Sequence, residues 1–179
     1  MDGGGGESAE QVVPRRTPTM TTKVDKSILV NVPVRTAYVQ WTQFEDFPRF
    51  MGAVKKVTQL NDDELEWVAE ILGVRRKWKA WILEQTTDRE VAWAATEGTA
   101  NAGAVTFEDV GGGQTCVRLS LEYEPEGFLE GLGGQPHIVE KQAQDDLERF
   151  KALVESGGCA TDGVAWIRRP RRARRDAGL

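Results

Sequence analysis

Glu64-Leu65-Glu66-Trp67-Val68-Ala69-Glu70-Ile71-Leu72-Gly73-Val74-Arg75-Arg76-Lys77-Trp78-Lys79-Ala80 reads as two strands joined by a two-residue turn. Apolar and polar residues alternate on both sides of Leu72-Gly73, the period of a strand with one dry and one wet face. With Leu72 and Gly73 as the turn, Glu70 falls opposite Arg75, Val68 opposite Lys77 and Glu66 opposite Lys79, so one face becomes a ladder of opposite charges. The other face pairs Trp67 with Trp78, Leu65 with Ala80 and Ala69 with Arg76. A slip of one residue would put the tryptophans in water and the lysines in the core. Agreement of both faces selects this register.

Outward from the hairpin the same alternation recurs. Toward the N-terminus, Lys23 to Asn31 reads as a first strand, with Val24, Ile28 and Val30 apolar. Pro33 pre-sets a helix start, and Ala37, Tyr38, Trp41 and Phe44 recur at helical spacing. Asp46-Phe47-Pro48-Arg49-Phe50-Met51 supports a second, single-turn helix with Asp46 as its cap. Toward the C-terminus, Val91, Trp93 and Ala95 face inward on one strand, Val105 and Phe107 on the next, and Val117, Leu119, Leu121 and Tyr123 on the last. Gly111-Gly112-Gly113 is the turn between the final two. From Gln135 to Ser156 the apolar residues Val139, Ala143, Leu147, Phe150 and Val154 step by helical intervals, so one long amphipathic helix covers the aromatic face of the sheet. The expected fold class is α+β: a curved antiparallel sheet of about seven strands around a long C-terminal helix, with two short helices after the first strand.

The chain has 179 residues, 40% hydrophobic and 28% charged, a composition for one soluble domain with a sizeable core. Residues 1–22 hold a Gly3 to Gly6 run and Pro14, Arg15, Arg16 and Pro18 without apolar periodicity, and are expected to be disordered. Met20 stands directly before the first strand, so initiation there would remove nothing of the fold. Residues 158–179 are expected to form a second disordered segment, which leaves 23–157 as the folded unit. The net charge of −5 divides into +5 over residues 164–179, where six arginines face Asp176 alone, and −10 over the rest. An acidic body does not look like a nucleic-acid-binding domain, and the arginine tail reads as a solvated segment, with nucleic acid or an anionic lipid surface as its alternative partner. No apolar run is long enough for a signal peptide or a membrane span, which places the protein in the cytoplasm with no membrane insertion. With His137 as the single histidine and Cys116 and Cys159 far apart, no metal site and no cofactor are called for, and both thiols are expected reduced.

Several segments together resemble a known family: Val32-Pro33-Val34-Arg35-Thr36-Ala37-Tyr38, Trp41-Thr42-Gln43-Phe44, Phe47-Pro48-Arg49-Phe50-Met51, Trp67-Val68-Ala69-Glu70-Ile71, Asn101-Ala102-Gly103, Tyr123-Glu124-Pro125-Glu126-Gly127 and Asp146-Leu147-Glu148-Arg149-Phe150. They are similar to the START-like (SRPBCC) superfamily, in its polyketide cyclase/dehydrase and coenzyme-Q-binding START domain branch, over about residues 23–157. The resemblance implies a helix-grip fold with a deep apolar cavity between helix and sheet, and a polyketide-, quinone- or lipid-like hydrophobic ligand. Two activities stay open: binding alone, or a lyase-type polyketide cyclase/dehydratase that closes and aromatises a polyketide intermediate. The Arg-rich tail falls outside the resemblance.

Inward parity nominates Trp67, Trp78, Trp93, Phe107 and Tyr123 from the sheet, and Phe150 from the helix, as cavity residues. Ala69, Ala80, Ala95, Gly103 and Ala143 cannot fill the layers that the large rings fill, so a space on the order of 300 Å³ or more is expected. Arg76 shares the inward face, where a charge is costly unless paired or wet. It is the expected polar contact of a ligand, with an ion pair to Glu97, nearly opposite by parity, as the plainer alternative. Tyr123 offers a hydroxyl to a ligand carbonyl or is simply a packed core tyrosine. His137, at the start of the long helix, reads as an exposed residue before it reads as a general base.

Overall fold

Pro33, at φ −58° and ψ 151°, turns the chain from the first strand into the first helix, and its carbonyl accepts from Thr36 N at 2.9 Å and Ala37 N at 3.2 Å. The computed structural model describes residues 21–71, 73–97, 101–124 and 136–157. The segments 1–20 and 158–179, on which most of the two expected disordered stretches fall, lie outside the described residues. Strand β1 spans Thr22–Val30 and helix α1 spans Val34–Trp41. A 3₁₀ helix, Phe44–Arg49, follows. Asp46 does not cap it, contrary to expectation: the helix begins two residues earlier, after Gln43, whose carbonyl accepts from Asp46 N at 2.9 Å. The Asp46 carboxylate instead accepts from Gln40 Nε2 at 3.3 Å.

The remaining strands are β2 (Val54–Gln59), β3 (Glu64–Ile71), β4 (Val74–Thr86), β5 (Glu90–Glu97), β6 (Asn101–Gly111) and β7 (Gln114–Tyr123), and helix α2 (Pro136–Glu155) closes the domain. All neighbours are antiparallel in the order β1-β7-β6-β5-β4-β3-β2. The meander therefore runs from β2 to β7, and β1 is added beyond β7. This is the curled seven-strand sheet with a C-terminal helix expected of a helix-grip fold. Bulges in β2–β3, β4–β5 and β6–β7 interrupt the ladder and bend the strands.

The β3–β4 register is the one read from the sequence, Trp67 with Trp78 and Glu66 with Lys79. The ion pairs, however, form on the diagonal: Lys77 Nζ lies 3.0 Å from Glu66 Oε2 and Lys79 Nζ 3.6 Å from Glu64 Oε1. Such exposed pairs contribute about 0.2–1 kcal/mol each, whereas burying one large apolar side chain contributes roughly 1.5–3 kcal/mol. Trp67, Leu65, Ala69, Trp78 and Ala80 are all buried, so the dry face sets the register and the charges follow.

Two apolar clusters divide the interior. Trp41 gathers Phe47, Phe50, Phe107 and Phe150 around itself, with ring centres 5.7, 5.4, 6.2 and 5.0 Å away. This cluster seats the C-terminal half of α2, where Leu147, Phe150 and Val154 are fully buried or nearly so. The same half is tied to the end of β1 by polar bonds. Asn31 N and Nδ2 donate to Glu155 Oε1 at 2.7 and 2.9 Å, and Lys151 Nζ donates to the Leu29 carbonyl at 2.6 Å. The second cluster is a stack of Trp67, Trp78 and Trp93, joined to the first through Phe47, whose ring lies 5.3 Å from that of Trp67.

Gly103 lies opposite Trp93 on β6, and a Cβ there would overlap the indole. Gly103→Ala is expected to lower stability by about 1–3 kcal/mol through overpacking, read from the urea midpoint, with a change in tryptophan emission. An unchanged midpoint would show that the Trp93 ring has room to move aside.

Candidate ligand cavity

The hollow lies under the N-terminal half of α2, on the side of the tryptophan stack away from Trp41. Its volume is about 210 Å³, below the 300 Å³ expected from the small inward residues. Those residues explain the difference. Ala69 and Ala143 do line the hollow, but Ala80 and Ala95 do not, and the place left by Gly103 is taken by the indole of Trp93.

Three adjacent strands build its floor. Trp67 of β3 and Trp78 of β4 are register partners, with ring planes 8° apart and centres 5.9 Å apart. Trp93 of β5 follows at 25° and 6.3 Å from Trp67. The result is a stack of three near-parallel indoles with Trp67 common to both contacts. Leu119, Leu121 and Tyr123 of β7 form a side, and Ile138, Val139, Gln142, Ala143 and Asp146 of α2 form the roof. The exposed lining residues Glu70 and Glu122 mark where the hollow meets solvent.

Of the residues nominated from sequence, Trp67, Trp78, Trp93 and Tyr123 come together around this space. Phe107 and Phe150 are buried in the Trp41 cluster, outside the lining, because they belong to the half of the interior that α2 fills. Arg76 is half-buried opposite Ala69 and also outside the lining. Its expected neighbour Glu97 is on the other face: a bulge sets Lys79 opposite Glu97 and Ala80 opposite Ala95, and Glu97 Oε1 pairs with Lys79 Nζ at 3.8 Å. Parity counted straight along β5 misses that extra residue. His137 is exposed and does not line the hollow, and Cys116 is a free, half-buried thiol on β7.

Asp146 was not singled out from sequence. Its signal is its position three residues after Ala143 and one before Leu147, at the margin of the apolar stripe. Its Oδ1 accepts from Gly52 N at 2.9 Å, Gln142 Nε2 at 2.7 Å and Arg149 Nη1 at 2.8 Å, which ties the β2 approach to the helix. Among the described residues Oδ2 has no donor. Burial holds the carboxyl above the usual range, while the hydrogen bonds from Gly52 and Gln142 and the charge of Arg149 pull the other way. Burial, and then the charge of Glu140, likewise raise the Tyr123 phenol, with a hydrogen bond to Thr22 opposing. Trp67 Nε1 and Trp78 Nε1 are buried and find no acceptor among the described residues. The site thus offers a stack of aromatic rings and one carboxyl whose pKa burial raises.

The sign of the Asp146 effect is testable. Between the ordinary carboxyl value of about 3.9 and its raised value in the fold, the folded state keeps a proton that the unfolded chain has lost. Stability therefore falls as pH rises through that window. Asp146→Asn is expected to remove this fall, so that wild type loses ground to the variant in urea midpoints as pH rises from about 3 to 7. Parallel pH profiles would mean that the carboxyl ionises as in water.

A family model described as "Polyketide cyclase / dehydrase and lipid transport" matches residues 30–152. The chain is 43% identical over 142 residues to an uncharacterized 17.2 kDa protein from the melC2-rnhH intergenic region of Streptomyces lincolnensis, covering 79% of this chain and 95% of that one. Among solved structures it is similar to the Zhui aromatase/cyclase from Streptomyces sp. R1128, with TM-score 0.67, 14% identity, and 81% and 100% of the two chains covered. It is also similar to a START superfamily protein from Mycobacterium smegmatis, with TM-score 0.60, 17% identity, and 75% and 95% covered. At these identities the structural matches speak for the fold alone. No helix among the described residues is long and apolar enough to cross a membrane. The family match over residues 30–152 spans more than half of the sequence, and the chain belongs to the polyketide cyclase / dehydrase and lipid transport family.

Proposed function

We propose that this chain binds a hydrophobic, flat small molecule, polyketide-, quinone- or lipid-like, in the hollow under the N-terminal half of α2, and does so in the cytoplasm. The observation that carries this reading is the stack of three indoles, held within 8° and 25° of parallel and bordering a space of about 210 Å³. A planar ring that extends such a stack gains contact over its whole face, where a bulky saturated molecule touches only in places. Trp67, Trp78, Trp93 and Tyr123 are the proposed contacts. The family description, with its cyclases and lipid carriers, supports a hydrophobic ligand.

One observation favours a second reading, a cyclase/dehydratase. Aldol closure joins an enol carbon to a carbonyl carbon and then expels water, and both steps need a group that gives and takes a proton. Asp146 lines the hollow, and burial raises its pKa toward the working range of such a group.

The planar fluorophore 1-aminoanthracene tests the first reading. Its emission is expected to rise on binding to the wild-type chain. Ala143→Leu, which extends a side chain into the hollow, is expected to weaken that binding about tenfold while the unfolding midpoint holds; tenfold corresponds to about 1.4 kcal/mol. No rise with the wild type would overturn the binding reading. For the second reading, Asp146→Asn is expected to bind a linear triketone as before and to slow its closure to an aromatic ring by roughly 10²–10⁴. An unchanged closure rate would remove Asp146 as the proton carrier.

A further inference from the structure

Trp93 has unlike register partners on its two sides, Ile82 of β4 and Gly103 of β6. Its indole lies over the glycine. A Cβ built at Gly103 would stand on Cζ2, within 2.7 Å of Cε2 and 3.0 Å of Cη2, all atoms of the six-membered ring of the indole. The ring therefore rests where only a bare backbone leaves room for it. Trp93 owes its height above the sheet to an absent side chain.

Strand parity gives the direction in which that height would change. Gly103 shares the parity of the buried Val105 and Phe107, so a Cβ there points into the interior and not to the outer face. It would lift the indole off β6 and into the hollow, which Trp93 lines. The hollow has little space to give up. Its volume of about 210 Å³ is under the roughly 300 Å³ at which pockets for drug-sized molecules begin. At an interior packing density of about 0.75 it holds on the order of 160 Å³ of ligand, the bulk of two or three fused rings. A further ring has to stand out in water at the mouth. Resting on the binding reading above, we infer that Trp93 determines the size limit of the ligand, that Gly103 is the positioning residue that seats its ring, and that the hollow selects two- and three-ring molecules over larger polycycles.

Fluorescence titration of the full chain with 1-aminonaphthalene, 1-aminoanthracene and 1-aminopyrene tests this, since the probes carry one amino group each on two, three and four fused rings. The wild type is expected to hold aminoanthracene about tenfold more tightly than aminopyrene. Trp93→Leu vacates most of the ring and is expected to reverse that order. Trp93→Phe, the milder change, is expected to narrow the difference to about threefold, and it carries the same test should the leucine variant fail to fold. Gly103→Ala is expected to weaken aminoanthracene about tenfold and aminonaphthalene by less than about threefold. Because Gly103 acts through the ring, adding Trp93→Phe to Gly103→Ala is expected to return aminoanthracene to within about threefold of the wild type. A wild type that prefers aminopyrene, or an order of the probes that Trp93→Phe and Trp93→Leu leave unchanged, would overturn the inference while the binding reading stands. A loss caused by Gly103→Ala that is the same with and without Trp93→Phe would overturn the role of Gly103. Failure of all three probes to bind the wild type would overturn the binding reading and the inference with it.

Discussion

The ring of Phe150 meets that of Trp41 at 5.0 Å and 73°, and this contact decides where the long helix lies. Edge-to-face aromatic pairs contribute about 0.5–1.5 kcal/mol beyond the area they bury, and here Phe47 and Phe107 repeat the contact around one tryptophan while Phe50 packs against it at a tilt of 45°. The C-terminal half of α2 is thereby packed down on the sheet and pinned to β1 through Asn31–Glu155 and Lys151–Leu29. A straight helix fixed at one half must carry the other half over whatever lies beneath it. Beneath it are three stacked indoles, and across the hollow from them the helix presents the small Ala143. The hollow is thus a consequence of two unlike halves on one helix, dense at Leu147, Phe150 and Val154 and sparse at Val139 and Ala143.

Size and polarity of the hollow follow from single residues. Gly103 lets the Trp93 indole lie close against β6, which consumes space that four small residues would otherwise leave, and from there the ring stacks with Trp67. Asp146 closes the roof by drawing Gly52, Gln142 and Arg149 to one oxygen. This clasp joins the 3₁₀–β2 approach to α2 beside the hollow, so one carboxyl both shapes the mouth and brings to it a group whose pKa burial raises.

Much of this was legible in the chain itself. The β3–β4 register follows from Trp67, Trp78, Leu65 and Ala80 because a period of two leaves no second solution that keeps them dry. The helix stripe from Val139 to Val154 is equally plain. What escaped the sequence was local irregularity and three-dimensional fill. The bulge at Lys79–Ala80 moves Glu97 to the outer face, and nothing in Ala95-Thr96-Glu97 announces an extra residue. Alternation said that Phe107 and Phe150 face inward, and they do, but parity carries no information about which half of the interior a residue enters. Asp146 escaped because a polar residue at the margin of a stripe has the same spacing whether it points to water or to a cavity.

The most direct test of a ligand held by the tryptophan stack is a ¹⁵N–¹H correlation spectrum of the indole N–H groups, of which the chain has six, recorded as 9-fluorenone is added. The signals of Trp67 and Trp78, whose side chains line the hollow, should shift as the ligand's rings settle beside them. Those of Trp41, in the packed cluster, and of Trp81, half exposed on the outer face, should stay in place. Binding that leaves Trp67 and Trp78 unmoved, or that shifts Trp81 instead, would contradict a ligand site between the sheet and the long helix.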